Sequence, residues 1–262
     1  MNKPTVFTIL VSVALSAILS VGINIYALKS DRFDSKPPAG EAASDYVKQA
    51  LLADPAMLED VFAALQKQRE QQQTQNVLAA LENAQPALYS DTRDPVLGNP
   101  EAKFTIVEFF DYNCGYCKIS AKWMKEKFAQ HPDDIRIIFK DFPVLEGRAE
   151  GSKEASSASL AVWKQGAQVF HNFHFAMMEA KGGYDSQRID EIAAASGVNV
   201  TQMRADMTAD EAQFEAHMSD IYNLASSLEI NGTPAFVADG VLVHGADTQQ
   251  LQQLLDQKLA ET

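Results

Sequence analysis

The run Phe104-Thr105-Ile106-Val107-Glu108-Phe109-Phe110-Asp111-Tyr112-Asn113-Cys114-Gly115-Tyr116-Cys117 decides the fold. Its first seven residues alternate and are rich in β-branched and aromatic side chains, which reads as a buried strand. The only two cysteines of the chain follow, three apart, and after them Ile119, Trp123, Met124 and Phe128 fall at helical spacing. Cys114 is therefore expected at a helix N-terminus, where unpaired backbone N–H groups and the helix dipole stabilise a thiolate. Cys117, one turn on, is placed to resolve a mixed disulfide. The pair reads as a redox dithiol.

Working outward, Ile135-Arg136-Ile137-Ile138-Phe139 is a second strand. A strand, helix, strand unit of this length implies a parallel pair with a right-handed crossover. The cysteines then lie at the carboxyl end of a sheet strand, where open α/β sheets place their sites. Residues 147–228 are helical in composition, with segments at Ala155 to Gln165, Val169 to Ala180, Arg188 to Ala195, Val200 to Met207 and Ala212 to Ser227. Sheet returns at Ala235 to Ala238 and Val241 to His244, joined by Asp239-Gly240, a hairpin signal. A closing helix runs from Thr248 to Leu259. The fold class is α/β: sheet, helical insertion, then hairpin and helix.

Two other readings of the cysteine pair stand beside the redox one. A Cys-x-x-Cys is also half of a zinc site, and His171 and His174 offer a second pair of ligands. Both histidines lie in an aromatic helical stretch, where packing or a surface place is the plainer role. A static disulfide is the other reading, but small folds stapled that way carry several bridges, and this core is large enough to fold without one. No metal and no cofactor is assigned.

The chain has 262 residues, is 46% hydrophobic and carries a formal charge of −13. Lys3 and Lys29 are the only charged side chains among the first thirty residues, so the rest is more acidic still, which argues against nucleic acid as a partner. Residues 5–28 form an uncharged apolar run long enough to span a bilayer. We read residues 1–30 as an uncleaved anchor, with a cleaved signal peptide as the alternative. A dithiol suits an oxidising exterior, so the rest of the chain is expected in a periplasm, tethered to the inner membrane. Residues 31–45, with Pro37-Pro38 and Gly40, read as a linker.

From residue 46 to 88 the pattern is helical, broken near Asp54-Pro55. Leu58, Val61, Phe62 and Leu65 form one apolar stripe, which fades through a Gln-rich middle and resumes at Val77, Leu78 and Leu81. Such a stripe needs a partner. Self-association supplies one, and packing back on its own domain is the alternative. Residues 89–262 make the main domain.

Phe109-Phe110-Asp111-Tyr112-Asn113-Cys114-Gly115-Tyr116-Cys117-Lys118, then Phe139-Lys140-Asp141-Phe142-Pro143, then Gly232-Thr233-Pro234-Ala235-Phe236 together resemble the DsbA-like branch of the thioredoxin superfamily, and most of all ScsC-type proteins with an N-terminal oligomerisation arm. The resemblance implies a thioredoxin-like fold with a helical insertion, preceded by a helical arm and an anchor. It implies thiol-disulfide exchange with Cys114 as nucleophile and Cys117 as resolving thiol. Thr233-Pro234 would carry the family's cis peptide and, with Gly115 and Tyr116, face substrate. Glu108, six residues before Cys114, matches the family's buried carboxylate, which moves the proton of Cys117. Lys140, alternating with Arg136 and Ile138 on its strand, is placed to neutralise Glu108, a solvated lysine being the other reading.

Gly115-Tyr116 between the cysteines and Thr233 before the proline resemble the isomerase and reductase pattern more than that of strong oxidases. The implied partners are cysteine-containing proteins, other copies of the chain, and a DsbD-type membrane reductase that keeps Cys114 reduced. A DsbA-like oxidase fed by a DsbB-type protein is the second reading. A membrane-tethered chaperone or scaffold, its cysteines secondary, is a reading of another class.

Overall fold

The computed structural model describes residues 41–261, so the expected anchor and most of the expected linker lie outside the described residues. Among those described, no helix is long and apolar enough to cross a membrane. The chain divides into two compact units, one ending at Gln72 and the other starting at Gln73.

The first unit holds α1 (Glu41–Ala53) and the opening part of α2 (Ala56–Tyr89). The expected linker gives way to helix at residue 41: Glu41-Ala42-Ala43 are good helix formers and lie beyond the last proline of that stretch. The break at Asp54-Pro55 falls where expected, because Pro55 lacks an N–H and its ring blocks the preceding turn. Leu58, Val61, Phe62 and Leu65 are all exposed.

The second unit is built on a five-stranded sheet. Its strands are β1 (Val96–Gly98), β2 (Phe104–Phe110), β3 (Ile135–Asp141), β4 (Ala235–Ala238) and β5 (Val241–His244), in the order β1-β3-β2-β4-β5. β2 and β3 are parallel and the other pairs antiparallel. Helix α3 (Gly115–Gln130) makes the crossover between β2 and β3. The insertion supplies α4 (Ser152–Trp163), α5 (Ala167–Glu179), α6 (Ser186–Ala195), α7 (Val200–Ala209) and α8 (Glu211–Ser227), and α9 (Thr248–Ala260) closes the chain. These bounds match the sequence expectation to within a few residues.

β2 and β3 are buried at nearly every position, as strands covered on both faces must be. One face packs Phe104, Ile106, Phe110, Ile137 and Phe139 with α3, α4 and α5. The other packs Val107, Phe109, Ile138 and Val237 with Leu224 and Leu228, and with Leu81, Ala84 and Leu88 of α2. The end of α2 is thus part of the core, and the domain expected to begin at residue 89 takes in the last turns of the helix before it. Leu88 is fully buried, a contribution of about 1.5–3 kcal/mol from hydrophobic transfer alone.

The expected pairing of Lys140 with Glu108 is not what forms. The parallel register sets Glu108 opposite Phe139, so Lys140 points to the other face of the sheet. There its Nζ, almost wholly buried, pairs with Asp94 Oδ2 and donates to the Ala87 carbonyl. Arg136, two residues back, donates from Nη2 to the Tyr89 carbonyl at 3.1 Å. Both carbonyls belong to the last turn of α2, which has no intrahelical donors for them. The two cations of β3 therefore cap the C-terminus of α2. Strand β1, which pairs Val96 with Ile138 and Leu97 with Ile137, lies between the turn-forming pairs Asp94-Pro95 and Asn99-Pro100.

Candidate active site

Strand β2 ends at Phe110, and a short turn delivers Cys114 as the N-cap residue of α3. The turn is closed by the Cys114 N–H, which donates to the Asp111 carbonyl at 2.9 Å. Both cysteines are free thiols. Cys114 is 7% exposed and Cys117 is fully buried, so only the first is open to another molecule.

The two sulfurs sit in opposite electrostatic environments. Cys114 is lowered to about 6, first by a hydrogen bond from the Cys117 thiol, with help from the Thr233 side chain and the backbone N–H groups of Cys117 and Tyr116, against the cost of burial. Those N–H groups are the orphan donors of the helix start. Cys117 is pushed well above the usual thiol range, first by burial, then by its bond to Cys114 and the charges of Glu108 and Cys114. An ionised outer sulfur and a protonated inner one suit stepwise thiol-disulfide exchange.

Glu108 lies on β2, on the face that packs against α3, and is fully buried. Its Oε1 accepts from the Ser120 hydroxyl at 3.3 Å and its Oε2 has no hydrogen-bond partner. Burial holds its carboxyl well above the usual range, and the charges of Cys114 and Asp141 add to this. A carboxyl held this far above its usual range is a stronger base when ionised, and in that form it can take the proton of a neighbouring buried thiol and later return it.

The Thr233-Pro234 bond is cis, as the resemblance to DsbA-like proteins implies. It brings the Thr233 carbonyl to 3.2 Å from Cys114 Sγ, where it accepts a hydrogen bond from the thiol form of Cys114. Gly115 has open space where a side chain would stand, and Tyr116 is 67% exposed. The loop of Thr233 is thereby brought from a distant part of the sequence to the cysteine that Gly115 and Tyr116 follow.

Other groups near the dithiol were not singled out from the sequence. Lys118, in the first turn of α3, donates to the Ala180 carbonyl at 2.6 Å and lies 4.9 Å from the Tyr184 ring centroid. Burial lowers its ammonium, while the charge of Cys114 raises it. Asp141 ends β3 beside Phe110, fully buried, its Oδ2 accepting from Ser159 at 3.2 Å and its carboxyl raised well above the usual range, first by burial. Ser120 follows Cys117 by three residues, the helical spacing that sets it over Glu108.

The histidines offered as metal ligands play the quieter role. His174 is fully buried among Phe110, Phe139, Phe170 and Phe175, its Nδ1 3.1 Å from the Tyr112 hydroxyl. Burial pushes it down to about 3, so it is a neutral core residue. His171 packs against Phe128 and Phe175. Among the described residues, no group of three or more His, Cys, Asp or Glu is placed to hold a metal ion.

The family model for Thioredoxin matches residues 90–257, and the chain belongs to that family. A thioredoxin-like oxidoreductase from Silicibacter pomeroyi DSS-3 is similar at 36% identity with a TM-score of 0.59, covering 68% of this chain and 98% of that one. The catalytic domain of Proteus mirabilis ScsC is similar at 31% identity with a TM-score of 0.61, covering 70% and 99%. Disulfide bond formation protein D of Bacillus subtilis (strain 168) is 25% identical over 170 residues, 63% of this chain and 77% of that protein. The chain spans only 24% of another curated relative, the Na(+)/H(+) antiporter NhaA 1 of Mycolicibacterium gilvum (strain PYR-GCK). The chain is a DsbA-like thioredoxin-superfamily oxidoreductase close to ScsC.

Proposed function

We propose that this oxidoreductase exchanges disulfides with secreted proteins through Cys114 and Cys117, acting as an isomerase or reductase in the periplasm. Cys114 attacks a substrate disulfide and frees one substrate thiol; Cys117 then gives its proton to the ionised form of Glu108 and attacks the Cys114 sulfur, closing the Cys114–Cys117 disulfide and freeing the other substrate thiol. Thr233, Pro234, Gly115 and Tyr116 line the substrate strip. The observation that carries this reading is the contrast between the two sulfurs: one lowered to about 6 at a helix start, the other buried and raised.

Gly115-Tyr116 and Thr233 support the isomerase direction. An isomerase must keep Cys114 reduced, which calls for a DsbD-type membrane reductase as electron source. The exposed Leu58, Val61, Phe62 and Leu65 support self-association through the arm, and the apolar run at residues 5–28 supports tethering to the inner membrane. Residues 46–88 remain our choice for the arm, its last turns shared with the catalytic domain.

One observation favours the second reading, a DsbA-like oxidase. A stabilised Cys114 thiolate favours the reduced form, which makes the disulfide form a stronger oxidant. Thiol trapping in intact cells tests the direction. A mostly reduced pair is expected, and a mostly oxidised pair would replace isomerase by oxidase. Cys114→Ala tests the chemistry itself: refolding of a scrambled-disulfide protein should be lost, whereas a chaperone would keep suppressing aggregation and refolding unchanged.

A further inference from the structure

Asp111 is fully buried, stands between the end of β2 and the dithiol, and belongs to none of the steps above. Its side chain is engaged on every side. Oδ1 accepts from the Asn113 N–H at 2.8 Å and from the Ser152 hydroxyl at 3.0 Å. Oδ2 accepts from the Leu145 N–H at 2.9 Å. Asn113 Nδ2 in turn donates to Ser152 Oγ at 2.9 Å and to the Glu150 carbonyl at 3.1 Å. The Asp111 carbonyl accepts the Cys114 N–H at 2.9 Å. One residue therefore ties the turn that carries Cys114 to the loop after β3 and to the first residue of α4.

That attachment is firm on the far side. Gly151, just before α4, has a φ of 82° and packs so closely on the Tyr184 carbonyl that a Cβ there would lie 1.6 Å from its oxygen. The turn before α3 is itself closed by one backbone bond, from the Cys114 N–H to the Asp111 carbonyl. The side chains of Asp111 and Asn113 tie that turn to the loop after β3 and to the start of α4.

We propose that Asp111 is a positioning residue for the exchange reaction: its carboxylate buckles the Cys114 turn to the helical insertion and keeps the sulfur aligned with the N–H groups that open α3. The inference deepens the proposed function and rests on it. It also makes the insertion part of the redox device, because any shift of the start of α4 is passed through Ser152 and Asp111 to the nucleophile.

The sign of one measurement separates positioning from simple charge. Removing a nearby negative charge stabilises a thiolate and lowers its acid midpoint. Loosening the turn does the reverse, since the Cys114 sulfur loses donors. In Asp111→Asn one oxygen becomes an amide N–H and meets donors, so the clasp opens with little change in volume.

The test is titration of the Cys114 thiolate by its ultraviolet absorbance in the full reduced chain, with folding followed by circular dichroism. Asp111→Asn is expected to raise the midpoint, an acid constant about threefold smaller or more. Ser152→Ala is expected to move it the same way by less, and it serves alone if Asp111→Asn fails to fold. A midpoint that falls or stays in either folded variant overturns the proposal. Wild-type protein that titrates with no depressed thiol sinks the proposed function along with it, whereas a normal wild type and an unmoved variant sink this inference only.

Discussion

Glu108→Gln tests the buried carboxyl that the proposed proton transfer depends on. Glu108 is wholly enclosed, with one hydrogen bond from Ser120 and a partnerless Oε2, and burial raises its carboxyl well above the usual range. In the unfolded chain the same group ionises at its ordinary value, so from about pH 4.3 upward the unfolded state gives up a proton that the folded state keeps. The folded protein then loses stability relative to the variant by about 1.4 kcal/mol per pH unit, until the pH passes the raised folded value. Below the ordinary value the two proteins differ by a constant, because Glu108 is then neutral in the folded and the unfolded wild type alike. The assay is thermal unfolding of the reduced wild type and Glu108→Gln at half-unit steps from pH 4 to 8. For a domain this size 1 kcal/mol is about 2–4 °C, so the gap in Tm should widen in the variant's favour by several degrees over two pH units. Parallel Tm curves across the whole range would refute the reasoning, since Glu108 would then ionise alike in both states.

Four further outcomes are expected. The same Glu108→Gln change should slow release of a mixed disulfide about 10²-fold in stopped-flow exchange, the scale of a lost general base, while attack by Cys114 changes little. Alkylation of Cys114 should be half-maximal near pH of about 6 and fall as the pH drops below it, rather than near the ordinary thiol value of about 8.5. Lys140→Met leaves Asp94 buried without its cation and should cost about 3–5 kcal/mol in denaturant unfolding, much of it recovered in Lys140→Met with Asp94→Asn. Gly151→Ala, which drives a Cβ into the Tyr184 carbonyl at a positive φ, should destabilise the fold by about 2 kcal/mol or more in the same assay.

Much of the catalytic domain was legible because its signals are local. The alternation of residues 104–110, the helical spacing after Cys117, the Asp239-Gly240 turn and five separate helical runs each specify their own element. Strand β1 escaped because three residues between Asp94-Pro95 and Gly98-Asn99-Pro100 are too few to show a period. The end of α2 was assigned to the arm because a buried stripe and a self-associating one have the same spacing, and only the sheet face beneath Leu81, Ala84 and Leu88 tells them apart.

At the site, Cys114, Cys117, Glu108 and Pro234 were readable as a pattern. Their surroundings were not. The alternation of Lys140 with Arg136 and Ile138 offers it to Glu108, yet the parallel register sets Lys140 on the opposite face, and its partner Asp94 lies 46 residues earlier. The clasp of Asp111 to Ser152 joins residues 41 apart and leaves no trace in either segment. Long-range pairings of this kind come from topology, which local pattern does not encode.

The central claim is that Cys114 forms a covalent bond with a substrate sulfur and Cys117 breaks it. Incubating the reduced Cys117→Ala chain with a disulfide-bonded model peptide and weighing the products tests it directly. The account predicts one peptide adduct, located at Cys114, released by dithiothreitol and absent from Cys114→Ala. No adduct on the folded Cys117→Ala chain, or one that survives dithiothreitol, would contradict it.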